Sequence, residues 1–394
     1  MRLLGVLILG LGLRAGEGRW AGAWMAAPDQ AGVPLKVQTI RQVIRLSLGG
    51  TRIRLRVSNA YGTEPLRIGP VRVARADGTE GRAVAFQGAA EVRIPPGGSA
   101  WSDPVDFPVS ALQRLAVSLH LPEPVARPTL HGAGLATAQL LPGPDATAVV
   151  TLPGVTLDDS RYFLADVEVE GPGPRPAFVA FGDSITDGVG SGLDADGRWP
   201  DRLAERLQAD PALASIAVLN AGIAGNRLLR DGADPFVGPR GLDRFDRDVL
   251  DKPGVRWVLI LVGGNDLSAS TMLADPGQHA TAAQVIEGLR ALVARARAKG
   301  IRIWAGTLLP RGGAKEPFRE TPALAAAREA VRRWIRHSGC FEGVVDFAAL
   351  LGDPAHPDRL NPSYDSGDGV HPNAAGHRAM AGALDLRWFR EDPR

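Results

Sequence analysis

The run Gly171-Pro172-Gly173-Pro174-Arg175-Pro176 constrains this chain more than any other, because the hydrophobic pattern has a different period on its two sides. Prolines and glycines at this density neither continue a strand nor begin a helix, so residues 171–176 read as a linker. Ahead of it, Thr51-Arg52-Ile53-Arg54-Leu55-Arg56-Val57-Ser58 alternates strictly, with Ile53, Leu55 and Val57 on one face and Arg52, Arg54 and Arg56 on the other. That is the pattern of a half-buried antiparallel strand. Similar runs at 67–74, 91–94, 115–121, 149–152 and 162–169 are separated by turn formers such as Asp77-Gly78 and Pro95-Pro96-Gly97-Gly98. Together they predict an all-β sandwich or jelly roll over residues 19–170.

After the linker, short apolar runs at 177–181, 216–219, 257–262, 301–306 and 344–347 alternate with helical patterns at 200–208, 282–299, 322–336 and about 373–384. Five strands with helices between and after them predict a three-layer α/β fold with a doubly wound parallel sheet over residues 177–394. Ligands bind such sheets beyond the carboxyl ends of the strands, so chemistry is expected in the loops there.

The N-terminus carries a different pattern. Arg2 precedes an apolar run from Leu3 to Leu13, and the chain turns polar at Arg14-Ala15-Gly16-Glu17-Gly18, as in a secretory signal. Residues 1–18 are therefore expected to direct export to the periplasm or medium, with cleavage after Gly18, or alternatively after Ala23. The run is too short to span a bilayer, which needs about 20 residues, so no stable membrane insertion is expected.

Charge and cysteine usage exclude other classes. Over 394 residues, 45 basic side chains meet 43 acidic ones, and only Lys36, Lys252, Lys299 and Lys315 among the cations are lysines. A net charge of +2 is no footprint for nucleic acid. The single Cys340 rules out an intramolecular disulfide framework and a cysteine-based zinc cluster, and is expected to be a small buried hydrophobe. Neither a Walker A loop nor H-E-x-x-H occurs, and Gly188-Val189-Gly190-Ser191-Gly192 lacks the third glycine at dinucleotide spacing. Thr186 stands where the G-x-S-x-G elbow needs glycine. Oligomeric state is not legible.

Polar or glycine-rich clusters follow the first three strands of the second region: Gly182-Asp183-Ser184-Ile185-Thr186-Asp187-Gly188, Asn220-Ala221-Gly222-Ile223-Ala224-Gly225-Asn226, and Gly263-Gly264-Asn265-Asp266. Asp368-Gly369-Val370-His371-Pro372 precedes the last helix. Acyl transfer needs an activated hydroxyl, a base, a group that orients the base, and donors for the oxyanion. Ser184, at a strand-to-loop corner, suits the nucleophile, His371 the base, and Asp368, three residues earlier, its orienting carboxylate. Oxyanion donors would be the N–H groups of Ser184 and Gly225 and the side-chain amide of Asn265. Asp183, Asp187 and Asp266 read as loop-fixing acceptors. His377 reads as a packing residue; His131, on a Gly-rich turn of the β-domain, reads as a plain loop histidine, the alternative being that it reaches the cleft.

These blocks resemble the SGNH hydrolases, or GDSL-type lipases/acylhydrolases: Ser184, Gly225, Asn265 and His371 match the family's Ser, Gly, Asn and His in order, and Asp368 matches its Asp-x-x-His aspartate. The blocks cover 178–385. Arg198-Trp199-Pro200-Asp201-Arg202-Leu203-Ala204, Asn226-Arg227-Leu228-Leu229 and Tyr364-Asp365-Ser366-Gly367-Asp368 are similar to a secreted bacterial branch whose N-terminal β-domain opens on a stretch like Trp20-Ala21-Gly22-Ala23-Trp24. Gly222 and Ala224 depart from it, standing where members often carry serines. The resemblance implies a serine esterase that needs no cofactor or metal and acts on small-molecule or polysaccharide esters. Acetyl or other short acyl groups on carbohydrate are the expected substrates. Lysophospholipid or longer-chain lipid hydrolysis and acyl transfer to sugar would use the same residues. From another class, a carbohydrate-binding protein would stack sugars on Trp20, Trp24 and Trp101. Activity is expected to fall as His371 takes up a proton below neutral pH.

Overall fold

In the computed structural model, which describes residues 19–390, the alternating segment forms strand Gly50–Ser58. Its arginine face meets an acidic face: strand Leu164–Gly171 lies antiparallel beside it, with Arg52 opposite Glu170, Arg54 opposite Glu168 and Arg56 opposite Asp166. Arg54 Nε donates to Glu168 at 2.7 Å and Arg56 Nε to Asp166 at 2.6 Å, while Arg52 pairs with Glu170. Three of the chain's arginines are paired with carboxylates inside the sheet in this way. Opposite charges directly across a strand pair favour this register over its neighbours.

Strand Gly50–Ser58 belongs to a five-stranded sheet with Arg19–Met25, Leu164–Gly171, Val105–Val109 and Ser99–Trp101. A six-stranded antiparallel sheet faces it, built from Thr156–Asp158, Ala138–Pro142, Gln38–Arg45, Arg114–Leu121, Val71–Arg75 and Gly81–Val84. Ile53, Leu55 and Val57 from one sheet and Ile40, Ile44, Val117 and Leu119 from the other share one core, so the sandwich expectation holds. A small third sheet of Gln30–Ala31, Thr129–His131 and Arg161–Tyr162 lies beside them.

Several local expectations need correction. The run 67–74 is two strands, Leu66–Ile68 and Val71–Arg75, because Pro70 has no N–H to continue one ladder. Residues 149–152 are not a strand; the Val149 and Val150 carbonyls accept from the Arg41 guanidinium at 2.5 and 2.6 Å, and the strand comes later, at Thr156–Asp158. The Arg54 guanidinium lies over Trp20 and Trp101 at 4.5 and 4.8 Å, and that of Arg161 over Trp24 at 5.9 Å, so each of these rings presents a face to a cation. Cys340 is only half-buried.

From Ala177 onward the strands are parallel. Ala177–Gly182, Ala217–Gly222, Val255–Leu261, Arg302–Gly306 and Gly343–Val345 stand in spatial order second, first, third, fourth, fifth. That is the doubly wound arrangement, whose switch point lies beside the first strand. Capping explains where the helices begin. Thr281 and Gln284 close a capping box ahead of Ala282–Ala298, Thr321 caps Pro322–His337, and Asn373 accepts from the Ala375 and Gly376 N–H groups ahead of Ala374–Ala383. Helix Trp199–Gln208 turns Leu203, Ala204 and Leu207 into the core.

The two regions interlock. Met25 and Ala27 enter the core of the parallel sheet, while Ala177 and Ala217 enter that of the sandwich. Ser47 Oγ accepts from the Val218 N–H at 3.0 Å, and buried Lys252 reaches Asp166 at 2.6 Å. No helix among the described residues is long and apolar enough to cross a membrane. The export segment expected at 1–18 lies outside the described residues.

Candidate active site

In the parallel sheet Gly182 is level with Gly222 on one side and Leu261 on the other, so the loops after the first three strands leave the same edge together. Ser184 does not sit in an open loop as expected. It opens a one-turn helix, Ser184–Asp187, whose N-cap Asp183 accepts from the Ile185 N–H at 3.2 Å. The group Gly263-Gly264-Asn265-Asp266 also runs into a helix, Gly264–Met272, with Asn265 in its first turn.

The structure brings together three of the sequence-predicted residues by direct contact. Ser184 Oγ lies 2.9 Å from His371 Nε2, and His371 Nδ1 lies 2.6 Å from Asp368 Oδ2. Asp368 Oδ1 accepts from the Val370 and His371 N–H groups at 2.8 and 2.9 Å, which fixes the turn carrying the histidine. Burial pushes the Asp368 carboxyl up, but these hydrogen bonds and the imidazole outweigh it and hold it well below the usual carboxylate range. An ionised Asp368 can only accept, so Nδ1 carries the ring proton and Nε2 is left to accept from Ser184. Ser184 and His371 are 6% and 8% exposed.

The other predicted donors lie on the adjoining loops. As the first residue of its helix, Ser184 has an N–H with no intrahelical acceptor. Gly225 adopts φ 73°, a conformation that favours glycine, and its N–H has no hydrogen-bond acceptor among the described residues. Asn265 Nδ2 donates one proton to the Asn226 carbonyl at 2.9 Å, tying the second and third loops together and leaving its other proton for a ligand.

Three buried carboxylates hold these loops. Asp183 caps the Ser184 helix, Asp187 Oδ2 accepts from the Ala224 N–H at 2.8 Å, and Asp266 accepts from the Leu228 and Leu229 N–H groups at 2.7 and 2.8 Å. The glycine at 222 has a steric reason, since a Cβ there would lie 2.2 Å from Asp187 N. His377 is buried between Trp199 N–H (3.3 Å) and the Val189 carbonyl (3.1 Å). Burial pushes its pKa down to about 4, so it is neutral and structural.

Two neighbours lie where no sequence motif places them. The loop around Phe318 folds over the aspartate turn: Lys315 N–H donates to the Asp368 carbonyl at 3.0 Å, and the Phe318 ring stands edge-on to the His371 ring at 6.2 Å. His131 is not a plain loop histidine: it closes strand Thr129–His131 and is buried against Asp187, 3.0 Å from its Oδ1, because the packing of the two regions brings them together. No local pattern marks either contact, because the partners are distant in the chain. A cavity of about 690 Å³ lies over the six-stranded sheet, lined by Arg41, Arg72, Gln139 and Asp194, away from Ser184.

The chain is similar in structure to a lipolytic protein of the G-D-S-L family from Desulfitobacterium hafniense (24% identity, 52% of this chain and 96% of that one, TM-score 0.37). A variant of Axe2, an acetyl xylan esterase from Geobacillus stearothermophilus, matches at 27% identity over 54% of this chain and 93% of that one, TM-score 0.41. A GDSL-like lipase from Bacteroides thetaiotaomicron matches at 18% identity over 55% and 89%, TM-score 0.41. No curated protein matches the chain. The GDSL-like Lipase/Acylhydrolase family matches residues 180–379, just over half of the 394. With that match enclosing Ser184, Gly225, Asn265, Asp368 and His371, the chain belongs to the GDSL-like lipase/acylhydrolase family of carboxylic ester hydrolases.

Proposed function

We propose that the protein is an exported serine esterase that removes acetyl or other short acyl groups from carbohydrate through an acyl-enzyme. The observation that carries this reading is the continuous hydrogen-bond chain Ser184–His371–Asp368, at 2.9 and 2.6 Å. In it, Ser184 Oγ attacks the ester carbonyl while His371 Nε2 takes the hydroxyl proton, and Asp368 stabilises the imidazolium that forms. Negative charge on the carbonyl oxygen is met by the N–H groups of Ser184 and Gly225 and by the Asn265 amide, each such donor being worth about 3 kcal/mol. His371 then gives its proton to the departing alcohol. Water attacks the acyl-serine with the same roles reversed, releasing the acid and restoring Ser184.

A short acyl chain fits the oxyanion residues, since Gly225 and Asn265 carry no apolar side chain; the apolar groups seen nearby are Val237, packed at Gly225, and Phe318, set against His371. A long acyl chain is favoured only where apolar surface covers it, at about 0.8 kcal/mol per buried CH₂. The apolar run Leu3–Leu13 after Arg2 supports export.

Two measurements test the reading. A phosphonofluoridate should inactivate the enzyme with one adduct, and peptide mapping should find it on Ser184; full labelling elsewhere overturns the nucleophile. Among p-nitrophenyl esters, kcat/KM should be highest for acetate or butyrate and fall at least tenfold by palmitate. A maximum at octanoate or beyond would replace the short-acyl reading with a lipase.

A further inference from the structure

His131 closes strand Thr129–His131 in the small third sheet and is 6% exposed. Its Nδ1 lies 2.9 Å from the Ala27 carbonyl and 3.4 Å from Asp29 Oδ2, and its Nε2 lies 3.0 Å from Asp187 Oδ1. A carbonyl oxygen only accepts, and so does an ionised carboxylate, so both ring nitrogens are donors and the ring is a buried imidazolium. The energetics agree. Burial pushes its pKa down, but Asp187 above all, then Asp29 and the Ala27 carbonyl, outweigh it and raise it to about 9.

Asp187 occupies a special place. It is the last residue of the one-turn helix that Ser184 opens, and its second oxygen accepts from the N–H of Ala224, the residue before Gly225. One carboxylate therefore touches the antiparallel region, belongs to the nucleophile's helix and holds the loop of the Gly225 N–H. Without His131, this buried carboxylate would keep the Ala224 N–H but lose the Nε2–H donor that orients it. Such a group can reorient, which weakens its hold on the loop.

We propose that His131 is a positioning residue for ester hydrolysis, supplied by the antiparallel region: by donating from Nε2 to Asp187 it fixes the carboxylate that holds Ala224 N–H, and so aims the Gly225 N–H at the oxyanion. The inference rests on the oxyanion role given to Gly225 above. It also assigns the N-terminal region a part in turnover, beyond packing on the sheet.

Two substitutions separate this role from simple packing. In His131→Gln the amide nitrogen stands near the place of Nε2 and still reaches Asp187, whereas in His131→Asn it stands near the place of Nδ1 and reaches only Ala27. Turnover of p-nitrophenyl acetate is measured for both, with melting temperature, beside Ser184→Ala. His131→Asn is expected to lower kcat about 10- to 100-fold with KM within twofold, the scale of a misplaced catalytic group, while His131→Gln stays within about threefold of wild type. Wild-type kcat in His131→Asn, or equal losses in both variants, overturns the proposal. Should His131→Asn not fold, His131→Gln decides alone: near wild-type kcat supports the role, and a tenfold loss at unchanged KM overturns it. An active Ser184→Ala would instead sink the underlying mechanism, whatever the His131 variants do.

Discussion

Ser184→Ala is expected to fold and to lose esterase turnover by about 10⁴-fold or more, the scale seen when an acyl-transfer nucleophile is removed. Among the described residues the hydroxyl bonds only to His371 Nε2, so its loss leaves one imidazole nitrogen without that partner and costs at most about 1–3 kcal/mol of stability. The helix itself is capped by Asp183 and closed by Gly188, neither of which uses the serine side chain. What disappears is the atom that forms the acyl bond. Activity is read as kcat on p-nitrophenyl acetate and folding by circular dichroism. A folded variant at more than a hundredth of the wild-type rate would place the nucleophile elsewhere. The same site predicts which group does not limit the enzyme in acid. Since its hydrogen bonds hold Asp368 well below the usual carboxylate range, the carboxylate stays ionised on mild acidification, and activity lost there does not come from its protonation.

The largest expected effect on stability comes from Arg244, whose guanidinium is fully buried under the active-site edge. It donates to the Gly182 and Ala221 carbonyls at 2.8 Å each, to Asn226 Oδ1 at 2.9 Å and to Asp248 at 3.1 Å, and it stacks on Phe181 at 4.1 Å. Gly182 and Ala221 lie at the ends of the first two parallel strands, so a single cation ties together the edge from which the nucleophile and oxyanion loops depart. Arg244→Met keeps much of the volume and removes every donor. The Asn226 amide oxygen and the Ala221 carbonyl would then lose their buried donor, while the Gly182 carbonyl keeps the Ile223 N–H at 3.2 Å and Arg247 still reaches both Asp248 oxygens at 2.7 and 2.8 Å. The expected cost is about 3–5 kcal/mol, read as a lower urea midpoint. An unchanged midpoint would show that the edge holds without its cation.

Much of this molecule is legible locally, and the reasons are physical. A buried face imposes period two on Ile53, Leu55 and Val57, and burial on both faces imposes continuous apolar runs at the parallel strands. The site blocks are legible because Asp368 and His371 share one turn and the other groups lie directly after strands. Failures occur where a short pattern admits two structures. The run 67–74 breaks at Pro70, and Val149 and Val150 resemble a strand yet serve Arg41 through their carbonyls. Ser184 and Asn265 open helices that are too short or too polar to show helical periodicity.

By itself, then, the sequence determined which faces are apolar, hence an antiparallel sandwich followed by a doubly wound parallel sheet, and which five residues are candidates for ester chemistry. Only the tertiary structure decided what each polar face meets: Arg54 finds Glu168, Arg244 finds the carbonyls of two strands, and His131 finds Asp187. Periodicity records that a side chain leaves water but not its partner. Partners many residues apart are chosen by how the elements pack, and buried charge then enforces the choice, since leaving any of these groups unpaired costs several kcal/mol.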